Sequence, residues 1–260
     1  MGEPVIRTEV HGDLGFLILN RPEMRNALNL EAYGAIPGAV SSLEEAGVKV
    51  VVVRGEGERA FGAGSDISEF PTLRFGREAA LQYNRVEEGA LLALARCPVP
   101  TIAMVHGYCV GGGLEVAVAC DLRVAAHGAR FGATPAKLGV AFSRQNVERL
   151  CHLIGPANTK ELLFTAELIS AERALEIGLV NRVVDDEALE DETLAIVRTI
   201  AQNAPLSLRE MKRFVDDWAA VEDIPDAEGG GLSMTCYESE DYREGVAAFL
   251  EKRKPEFRGR

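Results

Sequence analysis

One glutamate stands where a glycine-rich turn enters an apolar segment. The stretch is VGGGLEVAVACD, residues 110–121, and the glutamate is Glu115. As an acid in the first turn of a helix, Glu115 would interact favourably with the positive end of the helix dipole. As a carboxyl group in an apolar pocket, it would have a raised pKa and serve as a general acid or base. Its position in the sequence is compatible with both interpretations.

A second glycine-containing loop, AFGAGSDI at residues 60–67, also follows a predicted strand. Glycines that end a strand just before a helix present free backbone N–H groups with the helix dipole behind them. Two such loops facing each other would form an oxyanion hole. The alternative is that each loop is only a tight strand-to-helix connection. Neither loop fits GxGxxG, and no GxxxxGK[ST] run occurs, so nucleotide-binding loops are not indicated.

Strands alternate with helices in the part of the chain that must position these loops. The β-branched run VKVVVVRG is typical of a buried strand, and VPTIAMVHG is a second strand that ends at the glycine motif. A hairpin is predicted around residues 11–13. Asn29 is placed to cap a helix over residues 30–46. The apolar spacing of Ala80, Tyr83, Val86, Ala90 and Leu94 predicts another helix over 76–95. Beyond residue 146 helices dominate. An acidic loop, DIPDAEGGG, then precedes a tail that is predicted as a final helix from residue 233.

Bulk properties exclude several function classes. The 260 residues carry a net charge of −12, which disfavours nucleic acid as a partner but allows a small anion held by local Lys and Arg. The five cysteines form no CxxC pair, and the four histidines show no metal-ligand spacing. We expect free thiols in a reducing cytoplasm, with no metal. The sequence shows no signal peptide and no apolar run long enough to span a membrane.

Five motifs, in order along nearly the whole chain, resemble the crotonase (enoyl-CoA hydratase/isomerase) superfamily. They are LNRPEMRNAL, AFGAGSDI, HGYCVGGGLEVAVACDLRVA, FGATPAKLGV and FLEKRKPEF. The resemblance implies an α/β (α+β) fold, a spiral of ββα units over residues 1–200, with a C-terminal helical trimerisation region over 201–260. It also implies an acyl-CoA substrate, an enolate intermediate, a role in fatty acid metabolism, and a homotrimer or dimer of trimers. No cofactor is implied, because CoA enters as part of the substrate.

The resemblance also implies roles for individual residues. The backbone N–H groups of Ser65 and Gly112 would form the oxyanion hole, and Glu115 matches the first catalytic glutamate of the hydratases. The CoA-binding residues implied are Met24, Arg25, Ala63, Gly64, Asp66, Ile67, Ser68, Phe249 and Lys252. Lys252 belongs to a KRK run that suits a nucleotide phosphate. Without the resemblance, this run would be interpreted as a solvated basic helix end.

The sequence departs from the hydratases at Pro135. Hydratases carry a second glutamate there, and the two carboxylates hold and activate one water. Proline can neither give nor take a proton, so the sequence predicts a site with one carboxylate. Decarboxylation suits such a site, because it needs an oxyanion hole and a proton donor but no activated water.

The TPAKLG run and the tail resemble methylmalonyl-CoA decarboxylases. Those enzymes carry histidine at the position of Ser65 and tyrosine at that of Phe142, whereas serine at position 65 resembles the ethylmalonyl type. We therefore favour a lyase that decarboxylates a malonyl-type acyl-CoA. The alternatives are hydration of a 2-enoyl-CoA with a single glutamate and, more remotely, a non-catalytic binding protein.

Arg144 is a further candidate residue, at the predicted acyl end of the site. A guanidinium group there could hold a substrate carboxylate. The alternative is an exposed arginine that flanks the helix beginning near Asn146. The sequence alone leaves both interpretations open.

Overall fold

The computed structural model describes residues 3–74, 76–219 and 239–260 as two sheets with helices packed around them. The strands are β1 Ile6–His11, β2 Leu14–Leu19, β3 Val50–Gly55, β4 Ala60–Gly62, β5 Thr101–Val105, β6 Tyr108–Val110, β7 Leu122–Ala126, β8 Arg130–Gly132, β9 Ile169–Ser170 and β10 Arg182–Val184. The longer helices are α1 Leu30–Glu45, α2 Arg77–Ala95, α3 Gly112–Ala119, α4 Arg144–Thr165, α5 Ala171–Glu176, α6 Leu189–Ala201, α7 Pro205–Ala219 and α8 Glu240–Glu251.

A ββα unit repeats along the chain and builds both sheets. The units are β3-β4-α2, β5-β6-α3 and β7-β8-α4. In each unit the first strand joins a six-stranded sheet of order β1-β2-β3-β5-β7-β10, and the second joins a four-stranded sheet of order β4-β6-β8-β9. Pairing is parallel except for β1 with β2 and β8 with β9. The predicted spiral of ββα units is therefore confirmed.

Strand β3 shows why its sequence is continuously apolar. Val51 and Val53 join the larger hydrophobic cluster, while Val50 and Val52 face a second cluster that includes Leu189 of α6. Alternate side chains of a strand point to opposite faces of the sheet, and both faces of this strand are covered. The same strand therefore anchors the layer that holds the site and the layer of helix α6 behind it.

The predicted N-terminal elements are also confirmed. Strands β1 and β2 pair antiparallel across the predicted hairpin, from Ile6 with Leu19 to His11 with Leu14. The Asn29 side chain accepts a hydrogen bond from the Ala32 N–H over 2.9 Å and caps α1. This cap fixes the start of α1, which carries Tyr33 into the site described below.

The C-terminal part is helical where the structure describes it. The final helix is Glu240–Glu251, shorter than the helix that we predicted from residue 233, and residues 233–238 lie outside the described residues. The predicted acidic loop DIPDAEGGG also lies outside them. Among the described helices, none combines the length and apolar character needed to cross a bilayer.

Candidate active site

Two backbone amides, those of Ser65 and Gly112, face each other between the two glycine loops. Leu28 forms a parallel bridge to Ser65, with bonds from the Leu28 N–H to the Gly64 carbonyl and from the Asp66 N–H to the Leu28 carbonyl. In such a bridge the N–H of the central residue points to the opposite side, which leaves the Ser65 amide free. Gly112 opens α3, where an N–H has no acceptor within the helix.

The distance between the two loops explains the glycine at position 112. A Cβ atom added there would lie 3.2 Å from the Ser65 amide nitrogen and 3.0 Å from Ser65 Oγ. It would also stand 2.1 Å from the Tyr33 hydroxyl oxygen, a distance that real Cβ atoms do not adopt. Only glycine allows this approach, and both glycine loops line the cavity described below.

A buried ion pair holds the loop that carries Ser65. Asp66 is 6% exposed, and its Oδ2 lies 2.8 Å from Nη2 of Arg21. Its other oxygen accepts hydrogen bonds from the Ser68 hydroxyl over 2.6 Å and the Ser68 N–H over 3.1 Å. These bonds, from Ser68 and then from Arg21, hold the pKa of Asp66 below its usual range. The loop geometry is therefore set before a substrate arrives.

Glu115 lies in the first turn of α3, as predicted, and its side chain is only 5% exposed. Asn146 in the first turn of α4 donates a hydrogen bond from Nδ2 to Glu115 Oε1 over 2.6 Å. Arg149 donates in turn to Asn146 Oδ1 over 2.8 Å, so the amide group is held in one orientation. Glu115 therefore fits both interpretations, because it is an acid in the first turn of a helix and its side chain lines a cavity.

The structure brings a second carboxyl group to Glu115, and our sequence analysis missed it. Glu87 of α2 is 6% exposed and lines the same cavity as Glu115, whose pKa its charge raises. Its Oε2 lies 2.9 Å from Nη2 of Arg74, which also donates to Asn84 Oδ1 over 2.8 Å. The expectation of a lone carboxylate is therefore wrong: Pro135 removes one acid from the site, and α2 supplies another.

Burial raises the pKa of both carboxyl groups. For Glu115, the loss of solvent is the largest cause, and the neighbouring Glu87 charge adds to it, so its pKa lies well above the usual range. Burial also raises the pKa of Glu87, but the Arg74 guanidinium opposes that shift. Two carboxyl groups close together in a buried site cannot both ionise easily. Arg74 favours the ionised form of Glu87, and Glu115 has the greater rise in pKa.

Tyr33 lies close to Ser65 and to the two carboxyl groups. Its hydroxyl is 2.9 Å from Ser65 Oγ. Tyr33 is fully buried, and burial raises the pKa of its phenol well above the usual value, with a further contribution from the charges of Glu87 and Glu115. The hydroxyl is therefore neutral, and its hydrogen bond with the Ser65 hydroxyl ties α1 to the loop that carries Ser65.

One cavity is lined by Ser65, Gly112 and the two carboxyl groups. Its remaining wall is mostly apolar and comes from the loop before α4 and the segment after β4. The lining residues are Ala63, Gly64, Ser65, Ile67, Phe70, Arg74, Asn84, Glu87, Gly111, Gly112, Glu115, Thr134, Pro135, Leu138, Val140, Ala141, Phe142 and Ser143. The side chain of Pro135 lines the cavity but offers no polar atom for proton transfer.

The residues predicted to bind CoA are placed unequally. Ala63, Gly64 and Ile67 line the cavity, whereas Asp66 is engaged with Arg21 and Ser68, and neither Asp66 nor Ser68 belongs to the lining. Met24 and Arg25 are exposed on the N-terminal loop, with the Arg25 guanidinium 5.8 Å from the centre of the Tyr108 ring. Phe249 lies in α8, and Lys252 is exposed just after that helix.

Arg144 does not reach the cavity within this chain. Its side chain is 91% exposed and pairs with Glu148 one turn along α4, over 2.6 Å. This placement favours the alternative interpretation, an exposed arginine at the start of a helix, over contact with a substrate carboxylate. The cavity does contain an arginine, but it is Arg74, which the sequence analysis did not single out.

The missed residues had a signal in the spacing of α2. Its buried stripe comprises Tyr83, Glu87, Ala90, Leu91 and Leu94. Glu87 lies four residues after Tyr83 and four before Leu91, so a charged residue occupies the apolar face of the helix. A carboxylate at such a position is rarely fully buried without a partner, and that combination indicates a functional group.

Comparison with known proteins fits this geometry. A family model described as enoyl-CoA hydratase/isomerase matches residues 10–260. The chain belongs to this family. It is 35% identical over 250 residues to the crotonyl-CoA hydratase of Syntrophomonas wolfei, covering 94% of each chain. It is likewise 35% identical over 238 residues to the methylmalonyl-CoA decarboxylase of Escherichia coli, covering 90% of each.

Solved structures give the same result for the fold of this enoyl-CoA hydratase/isomerase family member. The crystal structure of an enoyl-CoA hydratase/carnithine racemase from Magnetospirillum magneticum superposes with a TM-score of 0.92 at 37% identity. The match covers 100% of this chain and 97% of that one. The protein is thus a crotonase-superfamily enzyme of acyl-CoA chemistry, and its relatives carry the names of both hydratases and a decarboxylase.

Proposed function

We propose that the protein is an acyl-CoA lyase that removes CO2 from a malonyl-type acyl-CoA through a thioester enolate. The observation that carries this proposal is the position of Glu115, a buried acid in the same cavity as the Ser65 and Gly112 loops, where burial and Glu87 raise its pKa and so favour its protonated form. A protonated acid next to an oxyanion hole can deliver a proton to an enolate but cannot activate a water molecule as a base.

The reaction follows from these groups. The thioester oxygen accepts hydrogen bonds from the Ser65 and Gly112 N–H groups, which favours the negative charge that develops there. The bond from Cα to the substrate carboxylate breaks, CO2 leaves, and its electron pair passes into the enolate. Glu115 then gives its proton to Cα and becomes a carboxylate. A proton from solvent restores Glu115, so each turnover consumes one proton.

The CoA portion is assigned to the outer surface of the same site. We propose that the pantetheine arm follows the loop from Ala63 to Ser68 and that Met24 and Arg25 contact the nucleotide part. Arg25 and Lys252 are exposed cations on an acidic protein, which suits phosphate groups. We also propose a trimer or dimer of trimers in the cytoplasm, with Phe249 and Lys252 contributing to the CoA site of the same or a neighbouring subunit.

Hydration of a 2-enoyl-CoA is the second candidate, and two observations favour it. Glu87 supplies a second carboxyl group in the cavity, although from a different element than in the hydratases. Hydratase names also occur among the relatives at 34–35% identity. In this case Glu87, as the ionised member of the pair, would orient or activate the water.

One set of incubations separates the two reactions. The protein is mixed separately with methylmalonyl-CoA, ethylmalonyl-CoA and crotonyl-CoA, and the product masses are followed. Loss of CO2 from a malonyl-type substrate is the expected result, whereas water addition to crotonyl-CoA alone would replace the proposal by hydration. The Glu115→Gln variant serves as the control for background reaction, because its amide cannot donate an acidic proton.

A further inference from the structure

We propose that Glu87 is the second carboxyl group of the site: it binds the proton-bearing oxygen of Glu115 and thereby sets the pH range over which Glu115 is an acid. This inference rests on the proposed enolate chemistry of the same cavity and adds a residue to it. Glu87 acts through Glu115 and is therefore a positioning residue. Arg74 holds it through an ion pair.

The position of the two acids is the first argument. Glu87 and Glu115 are 6% and 5% exposed, come from different helices, and line the same cavity. The charge of Glu87 also raises the pKa of Glu115, so the two groups lie close enough to interact. Two carboxyl groups this close in a buried site cannot both ionise easily, and together they retain one proton.

The neighbours of the pair assign the proton to Glu115. Arg74 lies 2.9 Å from Glu87 Oε2, so the positive charge favours the ionised form of that residue. The Arg74 guanidinium is fixed in turn, since it stacks on the Tyr83 ring at 4.6 Å and on the Phe70 ring at 5.1 Å. Glu115 has an amide partner, Asn146, and no cation within hydrogen-bond distance among the described residues. Because a cation pairs with Glu87 whereas an amide group bonds to Glu115, Glu115 is the member of the pair that serves as the proton donor.

A purely structural ion pair between Arg74 and Glu87 is the alternative. Burying such a pair costs desolvation energy that its mutual attraction roughly repays, so stability alone does not require it. It also does not require that the carboxylate face the cavity and contact Glu115. A structural pair would lower stability when broken but would leave the titration of Glu115 unchanged, and this difference makes the proposal testable.

The consequence for turnover is direct. When Glu115 has given its proton to the substrate, two carboxylates face each other in a buried site. Their repulsion favours uptake of a proton from solvent, which returns Glu115 to the acid form. Glu87 therefore both fixes the direction in which the Glu115 hydroxyl points and drives its recovery.

The test measures the titration of the carboxylic acid by infrared spectroscopy without substrate. The C=O band of the protonated acid should be present at neutral pH and absent in Glu115→Gln. In Glu87→Gln the like charge is lost and Arg74 is free, so the midpoint of this band should move to lower pH by about one unit or more. Glu78→Gln, an exposed glutamate of α2 that does not line the cavity, is the matched control and should leave the midpoint in place.

Two variants of Arg74 provide an independent test in case Glu87→Gln fails to fold. Arg74→Gln removes the cation that favours both carboxylates, so the midpoint should move to higher pH, opposite to Glu87→Gln. Arg74→Lys keeps the positive charge, so its midpoint should lie close to that of the wild type. If neither Glu87→Gln nor Arg74→Gln moves the midpoint beyond the Glu78→Gln control, Glu87 is only the partner of a structural ion pair. Because no substrate is used, this outcome is independent of whether the malonyl-type substrates lose CO2.

Discussion

Asn146 donates from Nδ2 to Glu115 Oε1 over 2.6 Å, and this bond ties the first turn of α4 to the first turn of α3. The two helices belong to successive ββα units, so the acid and its amide partner meet only because the chain coils through one more turn. The bond stabilises the carboxylate form and opposes the upward shift that burial and Glu87 impose on the pKa of Glu115. Asn146 therefore reduces the rise in the pKa of Glu115 but does not cancel it.

Replacement of Asn146 by alanine should shift the pH dependence of turnover upward. The variant loses the bond that lowers the pKa of Glu115, so the acid stays protonated to a higher pH. The alkaline limb of kcat should therefore move to higher pH, and kcat measured against pH from 6 to 10 checks this. Asn158→Ala, on the same helix but bonded to the Ile154 carbonyl, is the control. A limb that moves downward would contradict the assignment of Glu115 as the acid.

Gly112→Ala should damage the oxyanion hole. The new Cβ would stand 2.1 Å from the Tyr33 hydroxyl oxygen and 3.2 Å from the Ser65 amide nitrogen, so one loop must shift. Loss of one oxyanion donor typically lowers kcat by about 10²–10³-fold. Steady-state kinetics should show this fall together with a lower melting temperature. Gly38→Ala, where a Cβ meets nothing within 4 Å, should be fully active. Normal turnover by Gly112→Ala would mean that the amide does not bind the carbonyl.

The free energy of unfolding should also depend on pH, because Glu115 is buried and its pKa is raised. The folded pKa of Glu115 is raised above the ordinary value of 4.5, so the folded state binds the proton more tightly than the unfolded state. Its contribution is complete below that value and is lost as pH rises toward the folded pKa, at up to about 1.4 kcal/mol per pH unit. Glu115→Gln lacks this loss, and its melting temperature relative to wild type should therefore rise with pH from 5 to 9.

The control for this stability measurement is Glu31→Gln, an exposed glutamate of α1. Its melting temperature should follow that of wild type across the same pH range. If Glu115→Gln and wild type also change in parallel, then Glu115 is ionised in the folded protein, and the proposed proton donor would have to be another group.

Much of this architecture could be predicted from local sequence. The continuous valines of β3, the cap at Asn29 and the glycine loops before α3 each depend on neighbours close in the chain, and the structure confirms them. The carboxyl pair could not be predicted in the same way. Glu87 and Glu115 belong to successive ββα units and are far apart in the sequence. The helical spacing that we used also placed Val86, rather than Glu87, on the buried face of α2.

The surroundings of the Asp66 side chain could not be predicted from its motif. The resemblance places Asp66 of AFGAGSDI among the CoA-binding residues, and the structure adds that its carboxylate is bonded to Arg21 and Ser68. A motif locates a residue on a loop, but only the packing decides which side of the loop its side chain occupies. Asp66 consequently acts on the substrate through the loop that it holds.

The Arg21–Asp66 pair should therefore couple stability to turnover, and a double-mutant cycle with Arg21→Gln and Asp66→Asn measures both. The pair is largely buried, with Nη2 and Oδ2 2.8 Å apart, and Arg21 also donates to the Ala27 carbonyl over 2.7 Å. Residues in one hydrogen-bonded network show interaction energies of roughly 0.5–3 kcal/mol. Each single variant should lose stability, the double variant should lose less than their sum, and kcat should fall because the Ser65 amide is no longer fixed.

The exposed Arg144–Glu148 pair, at 91% and 49% exposure, is the matched comparison and should show no measurable coupling and no change in kcat. If the buried pair behaved like the exposed one, the loop would be held by the Leu28–Ser65 bridge alone, and Asp66 would be free for the role on the pantetheine path that its motif implied.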